Sequence, residues 1–414
     1  MNERTAIEAL DAADPLRRLR DEFVIDDDAV YLDGNSLGRL PRVTAARVAR
    51  AVEDEWGREL VGGWDHWIDL PGAVGDDLGR HFLGAATGQV LVADSTTVNL
   101  YKLAAAALDA NPDRTTVVTD EDNFPTDRYV LAGLAQQRGV DLRLISTDPV
   151  HGADVDALQA AVDDTTALVC LSLVAFKSAA LADMRAVNDI AHAYGALTLW
   201  DLSHAAGAVP IALDVDDADL AVGCTYKYLN AGPGAPAYLY VRREHRELRS
   251  PIWGWFAQRD QFAMGPVHEP VDGIGRFATG TPPVPGLIAV REGVRLLASA
   301  GIGPLREKSV ALTDLLIERV DERLTGLGFA VATPRDPARR GGHVALAHPE
   351  ASLIGPAVRT SARVVADVRP PDRLRLGPAA AYTRFVDVWD AIERIHDLVA
   401  SGQHLEVADP GRIP

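Results

Sequence analysis

Apolar runs that stop abruptly on polar residues recur along the chain, and the sharpest example lies between Leu197 and Pro233, LTLWDLSHAAGAVPI…LAVGCTYKYLNAGP. One run, Ala196 to Trp200, ends on Asp201, with His204 just beyond it. The next, Leu220 to Cys224, ends on Thr225, Tyr226 and Lys227. Each predicts a buried strand whose polar residues begin where the strand stops. VLVAD, TVVTD and TALVCLS predict further strands, the last running into Ser172 and then Lys177. Helical spacing fills the intervals: Val43 to Leu60, the stretch after Ser95, the stretch after Phe124, and Met184 to Tyr194, which Gly195 stops. Residues 1 to about 30 read as amphipathic helix before YLDGNSLGRLP breaks into a loop. From Pro285 onward helices return over Gly286–Ala300 and Pro304–Leu327. Short strand-like pieces follow (FAVAT, HVALAHP, ARVVADVRP, RLRL), then a last helical stretch, and the tail HLEVADPGRIP is expected to be disordered.

Charge narrows the partners. The 59 acidic residues outnumber the 41 basic ones, for a net charge of −18, which argues against a nucleic-acid or anionic-membrane surface. No apolar run approaches the roughly 18 residues that a membrane span needs. MNERTAIEALDAADPLRRLRDEF is charged throughout and lacks a signal-peptide core, so a soluble, cytoplasmic protein is expected. Cys170 and Cys224 both fall in apolar strands and make neither a disulfide framework nor a metal-ligand pattern, so no metal site is expected.

The chemistry begins at the strand ends, where open α/β sheets bind ligands. An acid and a lysine delivered there, Asp201 and Lys227, suit pyridoxal phosphate: the lysine makes a Schiff base and the acid pairs with the pyridinium nitrogen. The same two residues could form a plain ion pair, and spacing alone leaves both readings open. Ser95, Thr96 and Thr97 sit where hydroxyls cap a helix, a place that is also an anion site because free N–H groups and the helix dipole converge there. Phe124 offers a flat face for stacking and Pro125 stiffens the turn; FPTD reads as a helix N-terminus with Thr126 or Asp127 near the cap, or as a source of polar contacts from those two residues. Ser172 has a local hydrogen bond as its ordinary reading, His204 a place in the core, Arg375 a solvated surface. Trp64 and Trp255 lie in glycine-rich, irregular segments where aromatics usually pack.

The words around these residues resemble kynureninase, a fold-type I pyridoxal phosphate enzyme. DLSHAAGAVP and TYKYLNAGPG carry the resemblance, and it recurs in YLDGNSLGRLP, DSTTVNL, FPTD, GWF and RFATGTPPV, covering most of the chain from Tyr31 to Pro283. It implies an α/β fold with a mostly parallel, seven-stranded-type sheet in a large domain over 46–284. A smaller α+β domain over 285–414 would be joined by residues 1–45. It implies hydrolysis of L-kynurenine to anthranilate and L-alanine in tryptophan catabolism, with 3-hydroxykynurenine the poorer substrate. Lys227 is then the Schiff-base lysine and the base that moves the α-proton. Asp201 keeps the pyridinium protonated, His204 supports Asp201 and the ring, and Tyr226 is a phosphate ligand and proton donor. Thr96 and Thr97 bind phosphate; Phe124 stacks, with Pro125, Thr126, Asp127 and Ser172 around the ring. Arg375 grips the substrate carboxylate, its planar fork suiting bidentate binding. Ser36, Trp64 and Gly280 border the substrate, while Trp255 and Thr281 reach the cofactor and substrate of a neighbouring subunit, which implies a homodimer. Lys177, the other lysine at a strand end, lacks the Tyr-Lys pair and glycine-rich exit and is rejected. Within the fold, the rivals are a class V aminotransferase and a cysteine desulfurase. A desulfurase would need an exposed, mobile cysteine, and Cys170 and Cys224 are expected to be buried. A non-catalytic cofactor-binding regulator would bring a basic face or an added DNA-binding domain, and neither is seen.

Overall fold

A computed structural model describes residues 3–25 and 28–406. Its main sheet has seven strands: β1 (Val90–Val92), β2 (Thr116–Asp120), β3 (Asp141–Ile145), β4 (Thr166–Ser172), β5 (Leu197–Asp201), β6 (Leu220–Gly223) and β7 (Tyr238–Val241), in the spatial order β1-β7-β6-β5-β4-β2-β3. β7 is antiparallel to both of its neighbours and every other pair is parallel. Parallel strands are covered on both faces, so they read as unbroken apolar runs, and β4, β6 and β7 are buried almost end to end. Register then aligns the chemistry: Ser172 pairs with Asp201, and Asp201 with Val222, so the polar ends of β4, β5 and β6 finish on one edge. Gly223 is required where β6 meets β7, because a Cβ there would overlap the ring of Tyr238 opposite.

Helices cover both faces. The alanine-rich helix Thr96–Ala110 buries Leu100, Leu103 and Ala104 to Ala107 against one side of the sheet. The helices Leu70–Leu78, Met184–Ala193 and Val284–Ala300 add to the larger core on the other. A separate apolar cluster lies under a four-stranded antiparallel sheet of β8 (Ala330–Val331), β9 (Val344–Ala347), β10 (Asp367–Arg369) and β11 (Arg373–Leu376), ordered β8-β9-β11-β10. The helices Ile302–Arg323, Ala351–Thr360 and Phe385–Ala400 enclose it. The N-terminal segment packs here too: Val30–Tyr31 pairs in parallel with Val364–Val365, and Asp11 accepts from the backbone N–H groups of Phe385 (2.7 Å) and Val386 (3.0 Å).

Three expected elements are redrawn. The N-terminal stretch is an α-helix, Glu3–Ala13, and a 3₁₀ turn, Arg17–Glu22, in place of one helix over about thirty residues. Pro15 breaks it, and Asp14 beside it accepts from Leu16 N (2.8 Å) and pairs with Lys308 (2.7 Å). The Val43–Leu60 helix begins at Arg42, is α-helical to Arg50, winds as a π-helix over Ala51–Glu59, and ends where Leu60 turns to φ 55°. The Pro304–Leu327 helix begins at Ile302 and is α-helical only to Arg323. Of the tail expected to be disordered, residues 407–414 lie outside the described residues, while His404, Leu405 and Glu406 belong to the 3₁₀ turn Gln403–Glu406. Among the described residues, no helix is long and apolar enough to cross a membrane.

Candidate active site

A cavity of about 740 Å³ opens at the polar edge of the main sheet. At one end lies the start of the Thr96–Ala110 helix. Ser95 is its N-cap, accepting from Val98 N at 3.4 Å, and this leaves Thr96 and Thr97 lining the cavity beside the first helical turn. Unpaired N–H groups and the positive end of the dipole make that turn an anion site.

The opposite end is acidic. Asp201, at the end of β5, is buried and accepts from Ser203 N at 2.7 Å. Asp127 is brought against it from the first turn of the Pro125–Arg138 helix; FPTD is thus a helix N-terminus, with Phe124 in the cap position, Thr126 and Asp127 just inside it, and no side chain capping it. Burial first, and then the Asp201 carboxylate, push the Asp127 carboxyl well above the usual carboxylate range. Its Oδ2 is buried and has no hydrogen-bond partner among the described residues. Two buried carboxylates in contact share a proton or take a cation between them, and a protonated pyridine nitrogen is a group that fits.

Lys227 projects from just beyond β6 and is buried. Its Nζ lies 2.9 Å from His204 Nε2, which places His204 against the lysine. Burial, and next the Lys227 charge, hold the His204 pKa well below that of a free imidazole, so the ring is neutral and its Nε2 accepts a hydrogen bond from the lysine. Lys227 Nζ also stands 5.9 Å from the centroid of Phe124 and 6.0 Å from that of Tyr226. Burial raises the Tyr226 phenol pKa, keeping its proton in place. The loop Asn35–Gly38 braces the lysine from behind: Gly38 N donates to Tyr226 O at 2.8 Å, and a Cβ at Gly38 would overlap Lys227 O. Lys177, the rejected alternative, is one-third exposed and ion-paired to Asp122, away from the cavity.

Ser172 lines the cavity and donates to Asn123 Oδ1 at 2.7 Å. Asn123 also accepts from Phe124 N (2.8 Å) and so fixes both neighbours. Neither Asn123 nor Ser203, whose Oγ accepts from Cys224 N at 3.1 Å, stood out in the sequence. Each sits inside a word already singled out, DNFPTD and DLSH, and that adjacency was the available signal.

Thr281 is exposed and borders the cavity, with Gly280 beside it. Trp255 is 41% exposed and packs edge-on to Phe256 at 4.7 Å, which in turn lies 6.0 Å from Trp64. Trp64, Trp255, Ser36 and Arg375 are outside the cavity lining. Arg375 is fully buried, and its guanidinium donates to Asp367, to Phe176 O and, at 3.3 Å, to Ser36 Oγ. The solvated-surface reading of Arg375 is therefore excluded, and its charge is close enough to lower the pKa of His204. Cys170 and Cys224 are buried, and burial raises both thiol pKa values.

Known proteins share this architecture. Solved structures include the apo cysteine desulfurase from Thermococcus onnurineus NA1 (TM-score 0.79, 19% identity, 92% of this chain and 98% of that one). Another is a C-DES variant with glycine covalently linked to its PLP cofactor (TM-score 0.80, 14% identity, 91% and 99%). At these identities they establish the fold, that of PLP-dependent fold-type I enzymes. The family model for the kynureninase C-terminal domain matches residues 305–395. Kynureninase from Pseudomonas fluorescens is 40% identical over 408 residues, 96% of each chain. That of Burkholderia pseudomallei (strain 1106a) is 41% identical over the same span. The chain belongs to the kynureninase family.

Proposed function

We propose that this chain hydrolyses L-kynurenine to anthranilate and L-alanine, with pyridoxal 5′-phosphate held by Lys227. The observation that carries the reading is the 2.9 Å contact between Lys227 Nζ and a neutral His204, set between the Asp201–Asp127 pair and the Thr96–Ala110 helix start. Bound there, the cofactor supplies an electron sink for the carbon next to the substrate amine. Asp201 holds the proton on the pyridine nitrogen, and Asp127 shares that load. Phe124, set by Pro125 and Asn123, would stack on the cofactor ring, with Ser172 and Thr126 as polar contacts beside it. Thr96, Thr97 and the helix N–H groups take the phosphate, with Tyr226 as a further ligand. Neutral His204 would hold Lys227 in place by accepting a hydrogen bond from it, and Lys227 would carry the cofactor and move the substrate α-proton. Water adding to the γ-carbonyl supplies the oxygen of the anthranilate carboxylate, and Tyr226 would give its proton to the β-carbon that stays with the alanine half.

Arg375 and Ser36 receive the α-carboxylate, and Trp64 and Gly280 border the aryl ring. Trp255 serves a neighbouring site, while Thr281 borders this chain's own cavity, and the enzyme is read as a cytoplasmic homodimer. The exposure of Trp253, Trp255, Phe262, Met264 and Val267 along one segment supports a covered face there. Residues 46–284 are taken as the cofactor domain and 285–414, joined by 1–45, as the smaller one. The separate apolar cluster and the Val30–Val364 pairing support a smaller unit that recruits the N-terminal segment, but the Val284–Ala300 helix packs on the main-sheet core and belongs with the larger one.

The test is absorbance of the purified protein, borohydride fixation with peptide mapping, and anthranilate release from kynurenine. A label on Lys227 with anthranilate formed is expected. A label on Lys177, or no anthranilate, overturns the reading. A desulfurase reading would require an accessible cysteine, which burial of Cys170 and Cys224 denies.

A further inference from the structure

The helix that opens on the anion cup carries a lysine on its buried side. Lys102 is fully buried among Leu100, Leu103 and the alanines that pack on the sheet, a position where the apolar pattern calls for another aliphatic side chain. Its Nζ donates to Asp94 Oδ2 (2.7 Å) and to Phe277 O (2.7 Å). Asp94 immediately precedes the N-cap Ser95, lines the cavity, and adopts φ 51°. Its other oxygen accepts from Thr279 Oγ1 at 3.0 Å. Thr279 leads directly into Gly280 and Thr281, and its carbonyl accepts from Phe256 N (3.3 Å), next to Trp255.

A carboxylate at the rim of a phosphate cup opposes the ligand the cup takes, since a phosphate monoester carries about −1.5 to −2 charges near neutral pH. Asp94 can stay there only if its charge is balanced, and the buried ammonium does so from the side away from the ligand. We propose that Lys102 is a charge-balancing and positioning residue for a phosphate-bearing ligand. It cancels Asp94 at the cup's rim and, through Asp94 and Phe277 O, holds the cup and the 277–281 segment in one geometry. The inference rests on the function proposed above.

The experiment titrates apoenzyme with pyridoxal 5′-phosphate and with pyridoxal, following absorbance, for wild type, Lys102→Met, Lys102→Gln and the double variant Lys102→Gln/Asp94→Asn. Asparagine tolerates the left-handed backbone at 94 and keeps an oxygen for Thr279, so the double variant removes both charges without removing that contact. Lys102→Met is expected to weaken pyridoxal 5′-phosphate on the order of tenfold, the effect of one unbalanced charge nearby, and to leave pyridoxal unchanged. The double variant is expected to bind both as wild type does. Lys102→Gln keeps hydrogen-bond donors and loses only the charge, so it gives the same ratio change should Lys102→Met fail to fold. An unchanged ratio in Lys102→Gln, equal weakening of both ligands, or a double variant as weak as the single overturns the inference. Wild type showing no Lys227-dependent absorbance defeats the proposed function itself, a distinct result.

Discussion

Arg375 offers the clearest separation of a structural role from a binding one. It and Asp367 are each 1% exposed at the side chain and ion-paired, with Ser36 Oγ donating to Asp367 at 2.6 Å and Arg369 pairing with it at 2.8 Å. Removing one partner of a buried pair costs about 3–5 kcal/mol because the other charge is left stranded. With Arg369 and Ser36 still on Asp367, Arg375→Met should fall near the low end, about 3 kcal/mol. Replacing both partners by apolar groups is often neutral, so Arg375→Met/Asp367→Leu should recover most of that loss, because Arg369 and Ser36 are partly exposed and can turn to water. Binding behaves differently. If the guanidinium receives the substrate carboxylate, each charge-assisted bond lost costs about 1.5–3 kcal/mol, and two lost bonds reduce kcat/KM by roughly 100-fold or more in either variant. The assays are denaturant midpoints and kcat/KM for L-kynurenine across wild type, single and double variants. A double variant with restored stability and wild-type kcat/KM would refute the binding role and leave Arg375 as a structural ion pair.

Asp201→Asn should leave folding intact and nearly abolish turnover, since an amide cannot hold the pyridine nitrogen protonated; single-turnover rates at matched cofactor occupancy within a few-fold of wild type would contradict this. At the far end of the sheet, Asp219 bonds His192 (2.8 Å) and His245 (2.6 Å), which hold its pKa below the usual carboxylate range, while Asp219 raises that of His192. The depressed Asp219 stabilises above about pH 4, its unfolded pKa, and loses this on acidification; the raised His192 stabilises below about pH 6.5 and loses this as pH rises through its folded value. The stability gap between wild type and His192→Gln, followed by thermal melting, should therefore be widest near pH 5–6 and narrow by pH 8; a gap that widens to pH 8 would reverse the assignment. For substrate choice, Trp64 and Thr281 should favour the unsubstituted ring over the 3-hydroxy one by about 1–3 kcal/mol in kcat/KM. Trp64→His with Thr281→Asn should shift that ratio toward 3-hydroxykynurenine, and an unmoved ratio would rule these positions out.

What could be read from the sequence follows from what periodicity measures. Strands buried on both faces give unbroken apolar runs, so β4, β5 and β6 and the polar residues at their ends were legible, and Asp201, Ser172 and Lys227 with them. Partners were not, because register and crossover set them: His204 meets Lys227 across 23 positions, and Asp127 reaches Asp201 from a different βα unit. The N-terminal break is of the same kind, since Asp14 is held by Lys308 and no local pattern contains that contact. A binary pattern reports which face is buried; it is silent on a polar residue that violates it. Lys102 in LYKLAAAAL and Asn99 before it are such violations, both fully buried on a helix whose other contacts are aliphatic. A buried charge costs several kcal/mol unless it is paired, so its presence demands a partner and a reason. Asn99 donates to Ala93 O (2.8 Å) and Lys102 to Asp94, and both partners lie in the loop that delivers the anion cup. The breaks in the apolar pattern thus mark where the fold was bent to serve the site, which is where sequence rules alone are expected to fail.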